Sequence, residues 1–291
     1  MLGQFGPRPG LLHRVHSGLG RCSIVLIAVA VFCACLWPPF RRNPHLQLLR
    51  SDANADVKHP VVAPNGIDVF YVSADSWLCK LDIRSESTSM LRFCWLEAVA
   101  ISPDGTRLAL LGHELLLADT AGTVLETLVT ANEVGSDPID VEFSHDGSHV
   151  YYSTSNGEHG ASYYRVALDG TGLELVHNSD GSAESSTGRT GFALTRKDSI
   201  LDYFDSERGW PKLSPVSDDV MAYVESDWYS GKLRLVNLST DSVMDLACSP
   251  ASQSSAAYPS WFPDGRKLVF CATVSGTIRR LELWMLDSVE Y

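Results

Sequence analysis

A short turn recurs along this chain and dictates most of what the chain can fold into. In "ISPDGTRLAL", Ile101–Leu110, the residues Ser102-Pro103-Asp104-Gly105 lie between two apolar runs. Asp-Gly in that setting marks a tight turn between antiparallel strands. The pattern returns as Pro64-Asn65-Gly66 in "VVAPNGIDVFYV", as Ser144-His145-Asp146-Gly147 in "VEFSHDGSHVYYS" and as Phe262-Pro263-Asp264-Gly265 in "SWFPDGRKLVFCA". A worn copy, "KLSPVSDDVMAYV", keeps Ser214-Pro215 and sets Asp218-Asp219 where Asp-Gly is expected. Gly66 and Gly105 are 39 residues apart, Gly105 and Gly147 are 42, and Pro215 and Pro263 are 48. Turn-bounded strands at periods of roughly 40–45 residues are the signature of β-propeller blades. A four-stranded blade is apolar on both faces, so it must stack on neighbours around an axis.

The expected fold is therefore all-β: a five-bladed β-propeller over residues 45–291. Blades begin near Val57, Glu97, Ile139, Trp210 and Tyr258. The interval from Gly147 to Asp219 is 72 residues, and its excess is a polar insertion at about 178–209, rich in Ser and Gly. Within it "FALTRKDSILDYF" reads as two worn strands turned at Lys197-Asp198-Ser199, so a degenerate six-bladed ring is the alternative. The last blade lacks a fourth strand after Leu281–Leu286, while "HLQLLRS", His45–Ser51, stands before the first blade with no blade of its own. Pairing the two closes the ring and removes an exposed sheet edge.

Residues 1–42 hold five arginines and no acid, which leaves 18 basic against 35 acidic residues in the remainder. An acidic body excludes nucleic acid as a partner, because phosphate binding needs cationic neutralisation. "CSIVLIAVAVFCACLW", Cys22–Trp37, is uncharged and follows three arginines. It reads as a signal-anchor helix or signal peptide, with the body outside the cytoplasm, periplasmic or extracellular.

The "SPDG" turn, the aromatic ahead of it in "YPSWFPDG" and the outer hairpin "YYRVALDGTGLELV" resemble the TolB-type, WD-like β-propeller repeat. The resemblance runs from Val57 to Tyr291. It implies a propeller and leaves function open, since that family includes periplasmic scaffolds and the gating propellers of prolyl-oligopeptidase-like peptidases. Their hydrolase domain has no counterpart in these residues.

No G-x-S-x-G, H-E-x-x-H or P-loop occurs, so no catalytic, cofactor or metal residue is singled out. Asp104, Asp146 and Asp264 are expected to accept backbone N–H groups in their turns while Gly105, Gly147 and Gly265 take positive φ. Trp261 is expected between blades. Trp228 and Tyr229, in "ESDWYSGK", stand in a predicted loop and are the candidate partner contact. Centring the first blade's outer hairpin between Glu86 and Ser87 sets Cys79 opposite Cys94, a cross-strand disulfide if the body is exported. The expected function is a non-catalytic, membrane-tethered or exported propeller that binds a protein or a cell-envelope component. The alternative is a hydrolase or lyase with its site in the central channel.

Overall fold

The computed structural model describes residues 45–50, 57–135, 137–155, 161–178, 192–195, 197, 199–201, 208–226, 231–246, 255–274 and 280–289. The apolar segment Cys22–Trp37 and the pair Trp228 and Tyr229 lie outside the described residues.

Five four-stranded antiparallel sheets carry the fold. The first strand, β1 (Leu46–Arg50), belongs to the last of them. Blade 1 is β2 (Val57–Val62), β3 (Asp68–Ser73), β4 (Trp77–Asp82) and β5 (Ser87–Phe93). Blade 2 is β6 (Leu96–Ile101), β7 (Arg107–Gly112), β8 (Leu115–Asp119) and β9 (Val124–Val129). Blade 3 is β10 (Pro138–Phe143), β11 (His149–Ser155), β12 (Ala161–Ala167) and β13 (Glu174–Asn178). A two-stranded ribbon, β14 (Ala193–Leu194) with β15 (Ile200–Leu201), follows. Blade 4 is β16 (Arg208–Ser214), β17 (Ser217–Ser226), β18 (Gly231–Asn237) and β19 (Ser242–Asp245). Blade 5 is β20 (Ala256–Trp261), β21 (Lys267–Val274) and β22 (Arg280–Asp287), completed by β1.

The side chains grade outward as stacking requires. Second strands are buried on both faces, as in β7, where Leu108–Gly112 are all buried. Fourth strands face water, as in β19, where all four residues are exposed. Such double-sided burial explains why the second strands read as continuous apolar runs rather than alternating ones.

Closure follows the expectation. β1 pairs antiparallel with β22, Leu46 opposite Leu286 and Leu48 opposite Trp284. His45 accepts the Asp287 N–H at 2.7 Å, and Leu46 and Leu49 pack on the core shared by blades 4, 5 and 1.

The repeat turns join the first and second strands of blades 1, 2, 3 and 5, with Gly66, Gly105, Gly147 and Gly265 all near φ +70°. Each turn also mates with the preceding blade. A Cβ on Gly105 would lie 3.3 Å from Pro64 Cδ, one on Gly147 3.5 Å from Pro103 Cδ, and one on Gly66 3.9 Å from Pro263 Cδ. The turn proline and turn glycine thus serve different interfaces, which accounts for their joint recurrence.

The seam between blades 3 and 4 breaks this rule, as does that between blades 4 and 5, where a Cβ on Gly265 would meet Val216 and Ser214 rather than Pro215. His145 replaces the turn proline of blade 3. In blade 4, Ser214 pairs with Ser217 around a two-residue Pro215-Val216 turn, so the strand has resumed before Asp218-Asp219. Without a glycine for the positive φ, the shorter turn corrects the expected position. The ribbon fills the seam: Phe192 and Leu194 pack on Tyr151 and Tyr163 of blade 3, and Ala193 on Met221 and Tyr223 of blade 4. The arrangement is five blades with a two-strand wedge.

The disulfide expectation is corrected. Asp82 Oδ1 accepts the N–H groups of Arg84 and Ser85, at 2.8 and 2.9 Å, and starts the turn two residues early. Asp82 then pairs with Ser87, and Cys79 stands opposite Met90, not Cys94. No Cys79–Cys94 bridge forms.

Candidate functional site: the axial channel

The first strands of the blades line an axial cavity of about 390 Å³. Its rim is built from the repeat turns, at Pro64, Pro103, His145, Pro215 and Pro263. The interior is set by position relative to these rim residues. Five residues before each stand His59, Ala98, Asp140, Trp210 and Tyr258; three residues before stand Val61, Ala100, Glu142, Lys212 and Ser260. Of these ten residues all but Ala98 line the cavity; Ala98 packs instead in the core with blade 3.

Three of the blades share a device. His59-Pro60, Trp210-Pro211 and Tyr258-Pro259 each interrupt their strand with a bulge, between Lys58 and Val61, Gly209 and Lys212, and Ala257 and Ser260. The residue before proline there has φ of 45°, 50° and 53° respectively. A non-glycine residue in that region stores strain of order 1–3 kcal/mol, a feature that clusters at functional sites. The bulges bring the three rings together. Tyr258 packs on His59 at a centroid distance of 4.1 Å and on Trp210 at 4.5 Å, an aromatic wall running from blade 4 through blade 5 to blade 1.

Blades 3 and 4 supply the charge. Asp140 is buried; its Oδ2 lies 3.0 Å from Lys212 Nζ and its Oδ1 3.7 Å from His59 Nδ1. Glu142 Oε2 lies 3.8 Å from the same Nζ and accepts no hydrogen bond. Lys212 also sits 5.8 Å above the Phe192 ring of the wedge. Burial pulls the Lys212 ammonium down, but Asp140 and Glu142 outweigh it and hold its pKa above the ordinary value. Burial, reinforced by Asp140 against Lys212, pushes Glu142 up to about 7. Burial takes His59 down to about 4, only partly offset by Asp140, so its imidazole is neutral at pH 7. Trp261 lies between blades as expected, and its Nε1 donates to the Lys212 carbonyl at 2.9 Å, fixing the strand that carries the lysine.

The serines of the cavity wall serve the fold. Ser102 and Ser144 donate to Asp104 and Asp146 at 2.6 and 2.8 Å, and Ser260 Oγ accepts the Val62 N–H at 3.3 Å. The turn carboxylates Asp104, Asp146 and Asp264 accept the N–H groups of Thr106, Ser148 and Arg266 at 2.9–3.0 Å. Ser148 Oγ touches both Asp146 and His149 Nδ1, each at 2.7 Å, but the serine stands between acid and imidazole. That is the wrong order for a triad, in which histidine is the middle member. No group of three or more His, Cys, Asp or Glu among the described residues could hold a metal ion.

The turn residues therefore form the rim, while His59, Asp140, Glu142, Trp210, Lys212 and Tyr258 were not anticipated from the sequence. The available signal was the X-Pro pair five residues before a turn proline, found three times over.

No protein-family model matches the chain, and no curated protein matches its sequence. Solved structures do resemble it. TolB from Acinetobacter baumannii is 17% identical, with 83% of this chain and 56% of that one covered and a TM-score of 0.44. A protein described as a TolB from Agrobacterium tumefaciens is 14% identical, with 83% of each chain covered and a TM-score of 0.43. The tricorn protease is 14% identical, with 81% of this chain and 27% of that one covered and a TM-score of 0.54. This chain thus spans little more than half of the A. baumannii protein and about a quarter of the protease. At these identities the likeness is one of fold: the chain is a β-propeller whose structural neighbours include TolB proteins.

Proposed function

We propose that this chain is a non-catalytic binding propeller, exported or tethered to a membrane through Cys22–Trp37, that holds a protein or a cell-envelope component at its channel. The observation that carries this reading is the self-neutralised cluster against an aromatic wall: Lys212 between Asp140 and Glu142, facing Trp210, Tyr258 and His59. Aromatic groups around a few fixed polar ones are the usual furniture of a ligand pocket. The wall serines being committed to turns and blade contacts favours binding over nucleophilic chemistry. The five arginines before and after the apolar run support the tether, and the acidic body supports a partner other than nucleic acid.

Immobilised full-length protein, exposed to a cell-envelope extract, should retain a component that Tyr258→Ala protein of equal melting temperature does not retain, and should return it chemically unchanged. Equal retention by both proteins places binding outside the channel.

One observation favours a second reading, a channel enzyme. A carboxyl with its pKa near 7 is suited to general acid–base work, and Glu142 has that property. Turnover of the retained component that ceases in Glu142→Gln would establish it.

A further inference from the structure

The composition of the channel restricts the chemistry of what it can accept. A cation entering it meets the Lys212 ammonium, and an anion meets Asp140 and Glu142, whose carboxylates lie 3.0 and 3.8 Å from that ammonium. Neither ion gains from one sign without opposing the other. A purely apolar guest would strip water from the Lys212 ammonium, whose side chain is 22% exposed, without replacing the hydrogen bonds lost. A matching guest is neutral, carries groups that both donate and accept, and offers a C–H face to the rings of Trp210 and Tyr258. Hydroxyls on a pyranose ring meet all three demands. They donate to Glu142, accept from Lys212, and leave the ring's apolar face for the aromatic wall. The cavity volume, about 390 Å³, lies at the small end of the range for small-molecule pockets, roughly 300–1,000 Å³.

We propose that the channel is a saccharide site, taking one or two sugar residues, with Glu142 and Lys212 as the hydrogen-bonding pair and Tyr258 and Trp210 as the stacking wall. The proposal rests on the binding reading above and narrows the cell-envelope component to a glycan.

The test uses the full chain in a detergent that carries no sugar. Glucose, galactose, N-acetylglucosamine, maltose, cellobiose and chitobiose are titrated by calorimetry, with choline, acetate and adenosine as the cationic, anionic and heterocyclic alternatives. At least one saccharide should bind saturably. Its affinity should fall about tenfold or more in Glu142→Gln, the loss of a charge-assisted hydrogen bond, and similarly in Tyr258→Leu. Trp95→Ala, at a side chain 68% exposed outside the channel, should leave it unchanged. If Tyr258→Leu fails to fold, Glu142→Gln decides, since it is nearly isosteric. No binding by any saccharide overturns the proposal, as does binding indifferent to Glu142→Gln. Choline, acetate or adenosine binding in the saccharides' place overturns the sugar class and leaves the binding reading standing. A saccharide that binds and is cleaved keeps the class and overturns the non-catalytic reading. A parallel sedimentation with insoluble peptidoglycan separates a free sugar from a polymer-borne one.

Discussion

Pro64 of the first blade rests against Gly105 of the second, so closely that a Cβ on Gly105 would lie 3.3 Å from the proline Cδ. The same contact joins Pro103 to Gly147 and Pro263 to Gly66, and it is absent at both seams of blade 4, where a Cβ on Gly265 of blade 5 would meet Val216 and Ser214 rather than Pro215. Between blades 3 and 4 the wedge and the buried pair Asp140–Lys212 take over.

Gly105→Ala should therefore destabilise the protein by about 1–3 kcal/mol, from positive φ plus crowding. Gly172→Ala shares the positive φ but meets nothing within 4 Å, so it reports the backbone cost alone. Urea unfolding of the two variants checks this; equal losses would show that the proline contact contributes nothing.

Removing the cation from the seam should cost about 3–5 kcal/mol, because Lys212→Met leaves the buried Asp140 uncompensated. Adding Asp140→Asn should recover part of that loss. A double-mutant cycle by thermal unfolding gives the coupling, and strict additivity would contradict a direct pair.

Two buried groups of the channel should oppose one another in the pH dependence of stability. His59 has its pKa lowered from 6.5 to about 4, so the unfolded chain takes up a proton that the fold refuses, and stability falls as pH drops from 6.5 toward 4. Glu142 has its pKa raised from 4.5 to about 7, so the fold keeps a proton that the unfolded chain loses, and stability falls as pH rises from 4.5 toward 7. Between pH 4.5 and 6.5 the two slopes oppose one another and nearly cancel, so melting temperature should be almost flat there. Glu142→Gln removes the falling slope and should unmask a rise in melting temperature from pH 4 toward 6.5; an unchanged profile would contradict this.

How much of this was legible before the fold was known depends on the range over which each signal acts. Turn and strand signals are local, so the repeat, the five blades and the orphan strand at His45–Ser51 could all be read in the residues. The hairpin shift that separates Cys79 from Cys94 is also local, but it depends on the Asp82 side chain capturing two N–H groups, and a count of residues does not show that. The channel was hidden for a different reason. Asp140 and Lys212 stand 72 residues apart on different repeats, and alternation says that each points inward without saying that they meet. The aromatic wall needs three bulges in register, and only the recurrence of His59-Pro60, Trp210-Pro211 and Tyr258-Pro259 hints at them.

Closure by β1 predicts a contrast between two truncations. Removing residues 1–51 deletes the β1–β22 ladder and the Leu46 and Leu49 contacts, and each kcal/mol lost should lower Tm by about 2–4 °C. Removing residues 1–42 spares the strand and should leave Tm unchanged. Equal Tm for the two truncations would show that β1 contributes nothing to the ring.

The claim that the channel is where this protein binds is tested most directly at Glu142 itself. Carbodiimide reacts with protonated carboxyls, and a carboxyl with its pKa near 7 should be labelled readily at pH 7 in the empty channel. Labelling mapped by mass spectrometry, with and without a cell-envelope extract, compares Glu142 with the exposed Glu174. The account predicts that the extract protects Glu142 and leaves Glu174 as it was. Undiminished labelling of Glu142 while the protein demonstrably holds its partner would contradict it.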